Sequence, residues 1–136
     1  MKDRVEALVD ELDAAVRNDG ILVLAADTRE RTLTPLAFRG DPNEQIRARG
    51  PLPWSGLTGR AVERRKPMIV NDAHLDPRAL VFSDPVIPEA ILIFPILVAG
   101  ELRGCVNLWR DGAGKQFDDT DLESVAPFAQ RLGDVL

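Results

Sequence analysis

The sequence contains no tyrosine, one cysteine and one histidine, and aromatic residues make up only 5% of its 136 positions. Each scarcity excludes something. One thiol closes no internal disulfide, so no disulfide framework is present, and a C-x-x-C or Cys/His metal framework has too few ligands. A nucleophile, base and orienting group cannot be assembled from one histidine and one cysteine. So few aromatics offer no stacking platform for single-stranded nucleic acid. The balance of 22 acidic to 17 basic residues, net charge −5, also opposes non-specific attachment to nucleic acid or anionic lipid. Local basic clusters do remain, at Arg29 with Arg31 and at Arg64 to Lys66. The opening stretch MKDRVEALVDELDAAV is charged and amphipathic. It therefore reads as neither a signal peptide nor a membrane span, and the expected location is cytoplasmic, with no nucleic-acid or membrane partner.

What is present reads as one domain over residues 1–136, long enough to bury about two-thirds of the surface of its unfolded chain. Its centre is Pro88 to Arg110, PEAILIFPILVAGELRGCVNLWR. Ile91 to Val98 is a continuous apolar run of strand length, Ala99-Gly100-Glu101 supplies a tight turn, and Leu102 to Trp109 is a second strand. Side chains two apart share a strand face. Leu102, Gly104, Val106 and Leu108 then form an ordinary core face, while Arg103, Cys105, Asn107 and Trp109 put a thiol, an amide and an indole on the other.

Around this hairpin, Val5, Leu8, Val9, Leu12 and Val16 form the apolar stripe of an amphipathic helix over about 3–17. Ile21 to Ala26 and Thr32 to Phe38 predict an antiparallel hairpin across a polar turn. Residues 43–54 carry Gly50, Pro51 and Pro53 and read as an extended edge or connector. Ser55 is expected to cap a short helix with apolar Leu57, Ala61 and Val62, which Pro67 ends. Met68 to Val70 is a further strand, and Ala73 to Pro88 is a surface loop with one helical turn. The last helix, about 118–136, shows capping-box spacing at Thr120 and Glu123, an apolar stripe through Leu122, Val125, Ala126, Ala129, Leu132 and Leu136, and Pro127 as a predicted kink. The order predicts an α+β fold: a mostly antiparallel sheet of five or six strands, with the terminal helices packed together on one face.

These pieces resemble the GAF domain, a small-molecule-sensing module, over essentially Ile21 to Leu132. The stretch WSGLTGRAVERRKPMIVNDAHLDPR is similar to the family's Gly-x-x-Gly helix, turn, strand and Asp-containing loop. The central hairpin with Pro95, Gly100 and Gly104 resembles its Pro-containing strand and Gly-hydrophobic strand, and Phe117 to Leu132 its closing helix. The resemblance implies a ligand pocket beneath loops on the face opposite the terminal helices, lined by the Cys105–Asn107–Trp109 face, and dimers through the terminal helices.

Candidate site residues follow from both readings. Asn107 would need a partner if buried, from ligand, water or backbone. Trp109 and Trp54 could wall a pocket or serve as core. Ser55 to Gly59 opens a helix whose free N–H groups, with the Thr58 hydroxyl, could hold an anion; capping and close packing at glycine is the plainer account. Ile93 lies on the facing strand. His74 could serve as a haem or metal ligand, although a lone loop histidine is more often a surface or capping residue. Asp72, Asp76 and Asp84 near it read better as turn formers beside proline than as a metal cluster. Cys105 reads as a small buried hydrophobe.

Departures from particular branches of the family bear on activity. Methionine sulfoxide reductases of this family use several cysteines, and this chain has one. Bilin-binding members attach pigment to a loop cysteine beside a histidine, whereas His74 here follows Ala73. The cyclic-nucleotide signature is incomplete, since Asn107-Leu108 and Asp121-Leu122 stand where the family has Asn-Lys/Arg and Asp-Glu. The expected function is a non-catalytic sensor of a small polar or anionic ligand, an oxyanion for instance, serving a signalling kinase or regulator. A ligand-free dimerisation scaffold is the alternative.

Overall fold

Periodicity and alternation sort the chain as expected. The computed structural model describes residues 2–40, 51–75, 89–112 and 114–136. Helix α1 is Lys2–Ala15, followed by β1 Gly20–Asp27, β2 Thr32–Arg39 and the two-residue β3 Leu52–Pro53. Helix α2 is Gly56–Arg64, β4 is Met68–Val70, and a 3-10 turn spans Ala73–Leu75. Then come β5 Glu89–Val98, β6 Glu101–Asp111 and helix α3 Asp119–Val135. Loop residues 76–88 and most of the 43–54 connector lie outside the described residues.

The strands form one six-stranded sheet in the order β3-β2-β1-β6-β5-β4, with every neighbouring pair antiparallel. Strand β6 is therefore interior, paired with β1 on one side and β5 on the other. Its turn from β5 uses Ala99 at φ 51° and Gly100 at φ 79°, the two positive values of a hairpin turn whose twist matches the strands. The β1–β2 turn is closed by Asp27, whose Oδ1 accepts from the backbone N–H of Arg29 and of Glu30. Pro35, which cannot donate to a ladder, sits on β2 beside the register shift opposite Val23 and Leu24.

The terminal helices cover one face. Val5, Leu8, Val9 and Leu12 of α1 and Val125, Ala129 and Leu132 of α3 pack on Ile21, Val23, Leu92, Ile96, Val106 and Leu108. Each valine, leucine or isoleucine among them contributes about 1.5–3 kcal/mol when fully buried. The stripe on α1 is thus taken up by the chain's own core. Arg131 of α3 bonds Glu11 of α1 at 2.9 Å, and Arg39 of β2 reaches Asp10 and Glu6 of α1. Helix α3 is continuous through Pro127, which lies on the exposed side, where water can take the carbonyl that the missing N–H leaves free.

Three local expectations change. Strict alternation puts Leu102 on one core face with Gly104, Val106 and Leu108, but β5 and β6 slip register between Ile96 and Leu97. That bulge turns Leu102 into the cluster of Cys105 and Trp109. The capping box of α3 is made by Asp118 and Asp121, not by Thr120 and Glu123. Ser55 occupies the N-cap of α2 by backbone geometry, yet its hydroxyl makes no capping bond.

Candidate functional site

From Gly104 to Arg110 every residue of β6 is buried, so something covers the sheet on the side away from the terminal helices as well. On that side lie two apolar clusters. One joins Leu22, Leu24, Leu33, Val62, Leu102, Cys105 and Trp109, with Trp54 at its margin. The other joins Leu57, Ala61, Ala73 and Ile93, with Met68, Val70 and Ile91. Asn107 stands at the seam, because its cross-strand neighbours are Leu22 on β1 and Ile93 on β5.

The carboxamide of Asn107 is 6% exposed. Its Nδ2 donates to Thr58 Oγ1 on α2 at 2.8 Å, and its Oδ1 is buried with no hydrogen-bond partner among the described residues. A buried acceptor left unmade costs about 1–3 kcal/mol. Among the described residues, charged side chains stay out of this seam: Arg60, Arg64 and Arg65 are exposed, Glu63 pairs outward with Arg31 at 2.8 Å, and Arg103 lies beside Glu101 in solvent. The first turn of α2 has no acidic residue.

The structure brings Asn107, Thr58 and Ile93 together, and places Cys105 and Trp109 next to them along β6. Cys105 is fully buried, and loss of solvent pushes its thiol up to about 12. It is a protonated, inert packing group. Trp109 lies flat over Gly20, where an added Cβ would fall 1.8 Å from the ring. Trp54 sits further out: its indole N–H donates to Thr32 O at 3.2 Å, and Arg31 stacks on its ring at 4.6 Å. His74 belongs to the 3-10 turn Ala73–Leu75, whose Ala73 packs in the Ile93 cluster. Among the described residues no group of three His, Cys, Asp or Glu side chains could hold a metal ion.

Sequence reasoning missed a second polar constellation at the far end of β6. Arg110 points to the helix face and its side chain is 8% exposed. It donates to the carbonyls of Arg17 and Gln116 at 2.8 and 2.7 Å, and through both terminal nitrogens to the Asp121 carboxylate. It also lies over the Phe117 ring at 4.1 Å. Phe117 is held in turn by Asn71, whose side chain accepts from its N–H and donates to its carbonyl. One arginine thus ties the segment after α1 to the start of α3, and Asn71 joins the end of β4 to the same knot. The available signals were a cation inside an apolar strand and the Asp118–Asp121 spacing.

A curled six-stranded antiparallel sheet with terminal helices on one face, a short helix on the other and a polar seam beneath it defines an α+β domain. The GAF domain family model matches residues 2–136, and the chain belongs to that family. Among solved structures, the GAF domain/HD domain protein of Geobacter sulfurreducens superposes with a TM-score of 0.84 at 17% identity, covering 98% of this chain and 90% of that one. The GAF domain of a phosphoenolpyruvate-protein phosphotransferase from Coxiella burnetii gives 0.81 at 22% identity, covering 98% and 80%. Free methionine-R-sulfoxide reductase from Neisseria meningitidis gives 0.78 at 21% identity, covering 98% and 78%. At these identities the likeness speaks for the fold alone. No curated protein matches this sequence. Among the described residues no helix is long and apolar enough to cross a membrane.

Proposed function

We propose that this GAF domain is a non-catalytic sensor that binds a small polar ligand at the Asn107 seam and transmits occupancy to its terminal helices. The observation that carries this reading is the buried Asn107 amide with one arm unpartnered among the described residues. Three residues along the same strand, Arg110 grips the segments leading from α1 and into α3. A group that completes the amide acts on a strand anchored to both termini. Transmission further requires the ligand to prefer one arrangement of those helices, since equal affinity for two states shifts neither. Catalysis is not part of the proposal. The reductase neighbours share the fold, but the single thiol here is buried and protonated.

The test is a thermal-shift screen against cyclic nucleotides, small oxyanions, amino acids and haem, repeated on Asn107→Ala. A ligand at 100 times its Kd should add about 2.7 kcal/mol of stability, and the substitution should abolish the shift. Amide exchange in α1 and α3 should slow at saturation; unchanged exchange would refute transmission.

A second reading, a ligand-free scaffold that dimerises or docks on a signalling kinase or regulator, is favoured by the burial of β6 on both faces. Since the α1 stripe packs inward, self-association would use the outer faces of the terminal helices. A tight dimer that no compound stabilises would put this reading first.

A further inference from the structure

The two atoms offered at the Asn107 seam restrict what can complete it. Thr58 Oγ1 accepts from Asn107 Nδ2, so the hydroxyl keeps its own proton to donate. Asn107 Oδ1 is an acceptor without a partner among the described residues. Side by side, the pair presents one acceptor and one donor. An N–H or O–H satisfies the first and a carbonyl oxygen the second, whereas a bare oxyanion supplies only acceptors and meets Oδ1 with like charge.

The surroundings argue in the same direction. Leu22 and Ile93 flank the amide across the sheet, and Leu57 and Ala61 pack against Ile93 from α2. The arginines of α2 are exposed, and Arg103 is drawn outward beside Glu101. Among the described residues, no cation stands where a buried anion would need one. The N-terminus of α2 supplies only about half a unit of positive charge.

We infer that the Asn107–Thr58 pair takes an uncharged ligand presenting an N–H beside a carbonyl, as in a lactam or a nucleobase edge, with its apolar body against Leu57, Ala61 and Ile93. This inference rests on the proposed sensor function and narrows its ligand class. The ligand's N–H donates to Asn107 Oδ1, and its carbonyl accepts from the Thr58 hydroxyl.

The test is a chemical-shift titration of the isotopically labelled full chain with five probes: uracil, 2-pyrrolidone, N-methyl-2-pyrrolidone, acetate and nitrate. Uracil and 2-pyrrolidone should move the Asn107 side-chain amide signals. The N-methylated lactam, which lacks the donor, should bind at least ten-fold more weakly, and the two anions should leave these signals in place. Asn107→Ala, read at the backbone amides of Thr58 and Ile93 beside the seam, should lose the response, and so should Thr58→Val, which spares β6 if the first variant folds poorly. Equal binding of both lactams overturns the role of Oδ1. Binding of acetate or nitrate that Asn107→Ala abolishes overturns the uncharged class and leaves the sensor intact. If none of the probes disturbs the seam, the inference fails. The broader screen then decides the sensor reading separately.

Discussion

Asn107 and Thr58, separated by 49 residues, meet through one hydrogen bond of 2.8 Å that joins the central strand β6 to the short helix α2. The bond satisfies one arm of a buried amide and leaves the other without a partner among the described residues, a combination that stability alone would not favour.

Replacing the amide by an apolar group should therefore separate stability from binding. Asn107→Leu removes the unmade acceptor, and its larger branched end fits only if space lies beside Oδ1. We expect its unfolding free energy within about 1 kcal/mol of the parent, or above it, together with loss of ligand response. Asn107→Ala removes atoms without filling the space and should lose about 1–2 kcal/mol. Urea unfolding of the three proteins reads both. A loss beyond about 2 kcal/mol for the leucine variant would show a tightly packed structural amide instead.

At the other end of β6, Arg110 should be the more costly residue to remove. Asp121 and the carbonyls of Arg17 and Gln116 all depend on it. Arg110→Ala leaves them without their donor and should cost about 3–5 kcal/mol, the usual penalty for breaking a buried pair from one side. Arg110→Lys keeps the charge but not the planar fork that reaches several acceptors at once. It should recover less than half of the loss in a denaturant melt; a lysine variant as stable as the parent would mean that charge alone suffices.

The fold was legible where one period governs a whole element. The α1 stripe of Val5, Leu8, Val9 and Leu12 is buried as the helical spacing requires, and the 105–107–109 alternation holds along β6. It failed where one residue is inserted: the bulge that moves Leu102 to the other face leaves no mark in composition. Arg110 was missed for a different reason. Its partners lie up to 93 positions away, and no local pattern pairs an arginine with a distant carbonyl. The amide and hydroxyl of the seam were both visible as unusual residue types, but their contact depends on how α2 docks. That docking follows from the close approach of Gly59 to the Trp54 backbone; the Gly-x-x-Gly stretch suggested close packing at glycine but not what it packs against.

Acid titration should show two opposed phases. Burial pushes the Asp111 carboxyl up from its ordinary value, the Asp19 carboxylate pushes it further, and Lys115 opposes them. Burial also pushes Asp121 up, but the Asp118 backbone amide and the Arg110 guanidinium outweigh it, so this carboxyl ends below its ordinary value. A raised folded-state value means that the folded protein takes up the proton first, so the Asp111 contribution is lost as pH rises through that value and is full below the ordinary carboxylate pKa of about 3.9. Asp121 works in reverse: its contribution is present above about 3.9 and lost as pH falls through its lowered value. Stability against pH should therefore rise slightly on mild acidification and then fall. Asp111→Asn should remove the rise, and Asp121→Asn the part of the fall that this carboxyl causes. Identical profiles for parent and Asp111→Asn would show that this carboxyl titrates normally.

Gly59 offers a test in which two ordinary rules give opposite signs. It lies inside α2, where exchanging glycine for alanine usually gains about 0.5–1 kcal/mol through helix propensity. Here an added Cβ would fall 2.5 Å from the Trp54 backbone carbonyl carbon and 2.9 Å from its oxygen. Backbone cannot give way as a flexible side chain can, so α2 must lift. Thr58, one residue earlier, would be carried away from Asn107, and the 2.8 Å bond would open. Gly59→Ala should therefore destabilise the domain by about 1–3 kcal/mol, the usual range for overpacking, and weaken any ligand that depends on the seam. A stabilised variant that still binds would mean that α2 has room to move and that its close approach to Trp54 does not set the site.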